Sequence, residues 1–145
     1  MIKIITVLMM IISVVYGETE FAKPKPAMDN PRQLIFSIPT AESKEVNRII
    51  STVNNVIKFY GVENTEVVIV AYGQGIKVLL KKGDIEIRKR IEALMTYDVE
   101  FIVCGNTMRT LKIDKKDLLK DISFATAGIV EIIERKLSGF SYVNP

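Results

Sequence analysis

The sequence predicts a three-layer α/β sandwich built on a mainly parallel five-stranded sheet, and three observations carry that prediction. From residue 33 onward, short apolar runs alternate with stretches whose apolar residues recur at helical spacing, the pattern of strands joined by crossover helices. The run Glu66–Ala71 (EVVIVA) is almost unbroken β-branched chain, as expected of a strand buried on both faces of a parallel sheet. No proline lies between Thr40 and Asn144, so regular elements run there without lost donors or ring clashes.

Taken in order, Gln33–Ile38 is the first strand. Thr40 or Ser43 is placed to cap a helix with Val46, Ile49, Ile50, Val53 and Val56 or Ile57 on one face, and Gly61 stands as its left-handed stop. The second strand, Glu66–Ala71, runs into a glycine pair. Asp84 can cap the next helix, with Ile87, Ile91, Leu94 and Met95 inward and Arg88, Lys89 and Arg90 around its solvated side. Glu100–Cys104 (EFIVC) is the third strand, Asp114–Asp117 resembles a short capping box, and Ile122–Ala125 is the fourth strand. Thr126 opens a last helix through Ile129, Ile132, Ile133 and Leu137, closed by Gly139, and Phe140–Val143 alternates as an edge strand would. Right-handed crossovers then cover both sheet faces, and the expected strand order is the flavodoxin-like 2-1-3-4-5.

The chain of 145 residues is long enough for one core and one domain, residues 33–145. Residues 1–17 read as a secretory signal peptide: Lys3 gives the positive start, Ile4–Val15 is an apolar stretch of signal length, and Val15 and Gly17 permit cleavage before Glu18. A bilayer span needs about 20 apolar residues, so no stable span is expected after cleavage. The protein is expected to be exported, to the periplasm or its equivalent. Residues 18–32, with Pro24, Pro26 and Pro31, read as a flexible linker.

Composition removes several function classes. With no histidine, the chain cannot supply a Ser-His-Asp triad, a Cys-His pair or a histidine-held metal. One cysteine makes neither an internal disulfide nor a cysteine-rich zinc site, and no metal or organic cofactor is expected. A charge of +3, or +2 without the leader and its Lys3, is too mild to argue for nucleic acid.

Ligands of open parallel sheets collect at the carboxyl ends of the strands. There the chain places Tyr72-Gly73-Gln74-Gly75, Cys104-Gly105-Asn106-Thr107 and Ala125-Thr126-Ala127-Gly128. The glycine turn lacks the third glycine of a dinucleotide fingerprint, and a tight backbone turn explains it as well as a ligand contact. Cys104 is the sharper signal. It could be a small core hydrophobe, but Gly105 permits a sharp turn, and a helix opened by Asn106 and Thr107 would point free amides at the sulfur. Amides so placed stabilise a thiolate without a histidine.

The run Cys104-Gly105-Asn106-Thr107, the segment Ala71-Tyr72-Gly73-Gln74-Gly75-Ile76, Leu111-Lys112-Ile113-Asp114 and the ending Gly139-Phe140-Ser141-Tyr142-Val143-Asn144-Pro145 together resemble the DsrE/DsrF-like family. The resemblance implies a flavodoxin-like fold that forms trimers or hexamers. It also implies sulfur chemistry at Cys104, carried as a persulfide between protein donors and acceptors or low-molecular-weight thiols. An exported member departs from the cytoplasmic sulfur-relay proteins. The expected function is thus a sulfur carrier or sulfurtransferase with Cys104 as its reacting residue. Gly73, Gln74, Gly75, Gly105, Asn106, Thr107 and Thr126 are the expected contacts to the bound group. Two alternatives stand beside it: a non-enzymatic module that binds a small anion or a partner, and a thiol that reports oxidation as sulfenic acid. Self-association is also expected from Phe140, Tyr142 and Val143 at an exposed edge.

Overall fold

A computed structural model describes residues 17–145. The expected signal peptide falls outside the described residues except for Gly17. Five strands, β1 (Arg32–Ile38), β2 (Thr65–Ala71), β3 (Glu100–Cys104), β4 (Ser123–Ala125) and β5 (Ser141–Tyr142), form one sheet. Every neighbouring pair in it is parallel. Helices α1 (Ser43–Tyr60), α2 (Ile85–Met95), α3 (Gly105–Leu111) and α4 (Gly128–Leu137) connect them. The architecture is therefore the predicted α/β sandwich.

The strand order differs from expectation: it is β4-β3-β2-β1-β5, not 2-1-3-4-5. Strands β1 to β4 are laid down one beside the next in a single direction. Right-handed crossovers put α1 and α2 together on one face, and the long return from β4 to β5 puts α4 on the other. The two cores record this division. Phe36, Ile38, Val67, Ile69, Phe101 and Val103 pack with Val46, Ile49, Ile50, Val53 and Ile57 of α1 and with Ile87, Ile91 and Leu94 of α2. The opposite face is smaller, with Ile35, Val68, Val70 and Ile102 against Ile132 and Phe140.

Among the described residues a single helix thus covers the second face, which corrects the reading of α4. Only Ile132 of its expected inward stripe is buried, whereas Ile129, Ile133 and Leu137 are 60%, 48% and 77% exposed. Strand β5 lies at the sheet edge as expected, pinned where the Tyr142 and Ser37 hydroxyls meet at 2.8 Å.

Asp84 caps α2 as predicted, its carboxylate accepting from the Glu86 and Ile87 N–H groups at 2.9 Å. Other termini differ from the reading. Glu42, not Thr40 or Ser43, precedes α1, and Thr40 only accepts the Glu42 N–H at 3.2 Å. Helix α4 begins at Gly128, two residues after Thr126. Nor is the basic trio of α2 all solvated: Arg90 donates to Asn47 and, at 2.9 Å, to Ser51 of α1, tying the two helices together.

The expected linker, residues 18–32, holds no helix or strand before Arg32, yet it is tied back to the domain. The Arg32 guanidinium donates to the Ala22 and Pro24 carbonyls at 2.7 and 3.0 Å. Phe21 packs on Phe59 and Tyr60 at the end of α1. No helix among the described residues is long and apolar enough to cross a membrane.

Candidate functional site

Parallel register brings three strand ends level. Ala71 of β2 lies beside Val103, and Cys104 beside Ala125 of β4. The loops that follow must therefore converge. Cys104 is both the last residue of β3 and the residue preceding α3. Gly73 takes φ +55°, a conformation glycine adopts freely, and its N–H donates to the Thr107 hydroxyl at 3.1 Å. Having accepted that bond, the hydroxyl hydrogen is free to point at the Cys104 sulfur. From the third loop, Gly128 presses close: a Cβ there would sit 3.1 Å from Cys104 Cβ and 3.2 Å from Val70 Cγ1. The bare backbone of α4 thereby reaches the thiol.

Burial acts on Cys104 by disfavouring its charge and would raise its pKa. The Thr107 hydroxyl and the N–H groups of Gly128, Thr107 and Asn106 outweigh that, so the thiol is held below its ordinary value. Among the described residues no charged side chain contributes; dipoles at the starts of α3 and α4 do the work. The arrangement can stabilise a sulfur anion and, among the described residues, brings no acid or base to it. The thiol is less open than the sequence suggests, with Cys104 only 6% exposed.

Thr107→Val should test this wiring. It removes the hydroxyl at nearly constant volume, leaving the Gly73 N–H without its acceptor and the sulfur without a donor. Because the thiolate reacts and the native pKa is lowered, the variant's pKa must rise, and its alkylation profile must move to higher pH. The rate near neutral pH should fall severalfold. An unchanged iodoacetamide pH profile would show that this hydroxyl does not act on Cys104.

The DsrE/DsrF-like family model matches residues 34–145, all three site loops included. The chain belongs to the DsrE/DsrF-like family. Among solved structures, the protein of unknown function MTH1491 from Methanobacterium thermoautotrophicum is 27% identical, with a TM-score of 0.73 over 79% of this chain and 99% of that one. The ychN protein from E. coli shares the fold at 13% identity, with a TM-score of 0.66 over 77% of this chain and 97% of the other. No curated protein matches the chain.

In this DsrE/DsrF-like chain the remaining predicted site residues divide into two groups. Gly105 and Asn106 join the site through backbone. The Asn106 N–H donates to the Thr126 carbonyl at 3.0 Å, and a Cβ on Gly105 would approach the Ala125 carbonyl to 3.1 Å. The Asn106 side chain accepts from Arg109, and Thr126 is exposed. Gln74 is exposed too. Gly75 is buried and faces β1, where a Cβ would fall 1.8 Å from the Ile38 carbonyl oxygen. Its role is to let two backbones meet. Gly128 is not among the residues expected at the site, although a glycine opening a helix two residues beyond a strand end was the available signal.

Proposed function

We propose that Cys104 is a persulfide site and that the protein is a sulfur carrier or sulfurtransferase. Family membership supports sulfur-relay work in general. The observation that carries the finer reading is the donor set around the sulfur: the Thr107 hydroxyl, itself held by the Gly73 N–H, and the Gly128, Thr107 and Asn106 amides. Those groups suit a thiolate and suit equally the anion of a persulfide built on it.

In the proposed reaction the Cys104 thiolate attacks the outer sulfur of a donor persulfide, R–S–SH. The donor S–S bond breaks, R–S⁻ leaves and takes the proton, and Cys104 holds the sulfur as Sγ–S⁻. An acceptor thiolate then attacks that outer sulfur, forms its own persulfide and releases the Cys104 thiolate. No net oxidation occurs. With no second cysteine, the loaded form cannot close an internal disulfide and waits for an external thiol. Intact mass after treatment with a low-molecular-weight persulfide tests the reading. Gain of one sulfur atom, removed by excess thiol, is expected, whereas a small-anion module would gain nothing covalent.

The reading extends to assembly. Ile129, Val130, Ile133 and Leu137 stand exposed on the one helix covering the second sheet face, and such an apolar stripe favours self-association. Of the residues expected at the self-associating edge, Phe140 is 7% exposed and Tyr142 is 38% exposed, so the α4 stripe adds to that edge. Light scattering should find a trimer or hexamer, and Ile133→Glu with Leu137→Glu should dissociate it. A native monomer removes the claim.

We also propose that the mature protein works outside the cytoplasm, on the Lys3 and Ile4–Val15 pattern. Protein recovered from cells should begin at Glu18. An intact Met1 on a cytoplasmic product would reject export.

A further inference from the structure

Three cavities of about 550, 510 and 480 Å³ lie side by side. The first opens at Gly105 and Thr126, next to Cys104 in the chain, and shares Lys112 and Ile113 with the second. The second shares Lys81 with the third. The shared residues link them into a row, here called the furrow, past β4 and α3. Eight cations and four carboxylates line it, an excess of four against the excess of three for the whole chain. The excess positive charge of this protein is therefore concentrated along this surface, one end of which lies at Gly105, the residue after Cys104.

The furrow cations are held mostly by neutral groups: Lys81 and Arg88 donate to the Lys116 and Lys81 carbonyls, both at 2.6 Å, and Arg109 donates to the Asn106 side chain. Among the described residues, only Lys116 of the eight is ion-paired, to Asp114 at a long 3.8 Å. Lysines spread along an open path match charges spread along a chain better than they match one small anion, which needs donors converging on a point. A nucleic-acid strand is disfavoured because, among the described residues, Phe124 is the one aromatic residue in the furrow, and Lys115 Nζ stands 4.3 Å from its ring centroid, whereas single strands are bound on successive aromatic platforms.

We infer that this furrow docks an acidic polypeptide segment of the partner that exchanges sulfur with Cys104. The inference rests on the proposed persulfide role for the identity of the partner, but not for the binding itself. Charge complementarity of this kind steers encounter and fixes register. It would bring a partner thiol to the Gly105–Thr126 end, at the residue that follows Cys104.

A fluorescein-labelled hexaglutamate peptide without cysteine is the probe, followed by anisotropy, with circular dichroism confirming that each variant is folded. Wild type and Cys104→Ser should bind it alike. Binding should weaken between ionic strengths of about 0.01 M and ~0.15 M, as the Debye length shortens from ~30 Å to ~8 Å. Lys112→Glu with Lys115→Glu, and separately Lys81→Glu with Lys82→Glu, should each weaken it roughly tenfold. Lys58→Glu, on α1 outside the furrow, should leave it unchanged. Equal binding by the wild type and both double variants overturns the inference. So does sulfate competing as well as the peptide at equal charge, or a single-stranded hexanucleotide binding more tightly. Sulfur uptake with peptide binding lost sinks the docking surface alone; peptide binding with uptake lost sinks the carrier reading alone.

Discussion

Cys104→Ser should abolish sulfur uptake completely while leaving the fold intact. The replacement is nearly isosteric, and serine can still receive the Thr107 hydroxyl and the Gly128 amide that face the sulfur. What it loses is the low-pKa nucleophile: an alcohol at neutral pH is neither ionised nor attracted to sulfane sulfur. Burial of a hydroxyl costs little here because donors surround the position, so thermal stability should change by less than about 1.5 kcal/mol. With a single cysteine in the chain, no other residue can take over. Intact-mass spectra before and after persulfide treatment provide the measurement. Equal sulfur gain by variant and wild type would falsify the carrier proposal and leave the anion-binding module as the better account.

Gly75→Ala should unfold or severely weaken the domain, with a loss of more than about 3 kcal/mol. The added methyl would lie 1.8 Å from the Ile38 carbonyl oxygen, where real contacts do not fall below 3.0 Å. The obstacle cannot step aside. Ile38 ends β1 in register with Ala71, and its carbonyl accepts the Tyr72 N–H at 3.2 Å. Gly75 is itself anchored by its N–H to the Pro39 and Tyr72 carbonyls at 3.2 and 3.0 Å. Relief would require prising the loop after β2 from the end of β1, which would also carry Gly73 away from Thr107. The expected melting temperature falls by roughly 10–15 °C or more. A ligand-contact role predicts the reverse pattern: a normal melting temperature with sulfur uptake lost.

The site was legible where its cause was local. A cysteine followed by glycine and a helix start is written in four consecutive residues, and from them alone the amides of Asn106 and Thr107 could be aimed at the sulfur. The cap at Asp84 was legible for the same reason, since its bonds reach only to Glu86 and Ile87. The link from Gly73 to Thr107 spans 34 residues, and Gly128 meets Cys104 only because β3 and β4 pair. No local pattern encodes either.

By itself, then, the sequence determined which segments are strands and helices, that they form a parallel α/β sheet, and that its lone cysteine lies at a carboxyl strand end. Backbone dihedral preference and hydrophobic period act over a few residues and are carried by the residues themselves. Only the tertiary structure decided the order β4-β3-β2-β1-β5, because the face a crossover helix takes is set by the direction in which the next strand is laid. From that order follow α4 alone on the second face among the described residues, with Ile129, Ile133 and Leu137 left exposed, and the meeting of three loops around Cys104. Helical spacing marks an apolar stripe but does not say whether a layer exists to cover it. That depends on how many helices the topology sends to that side.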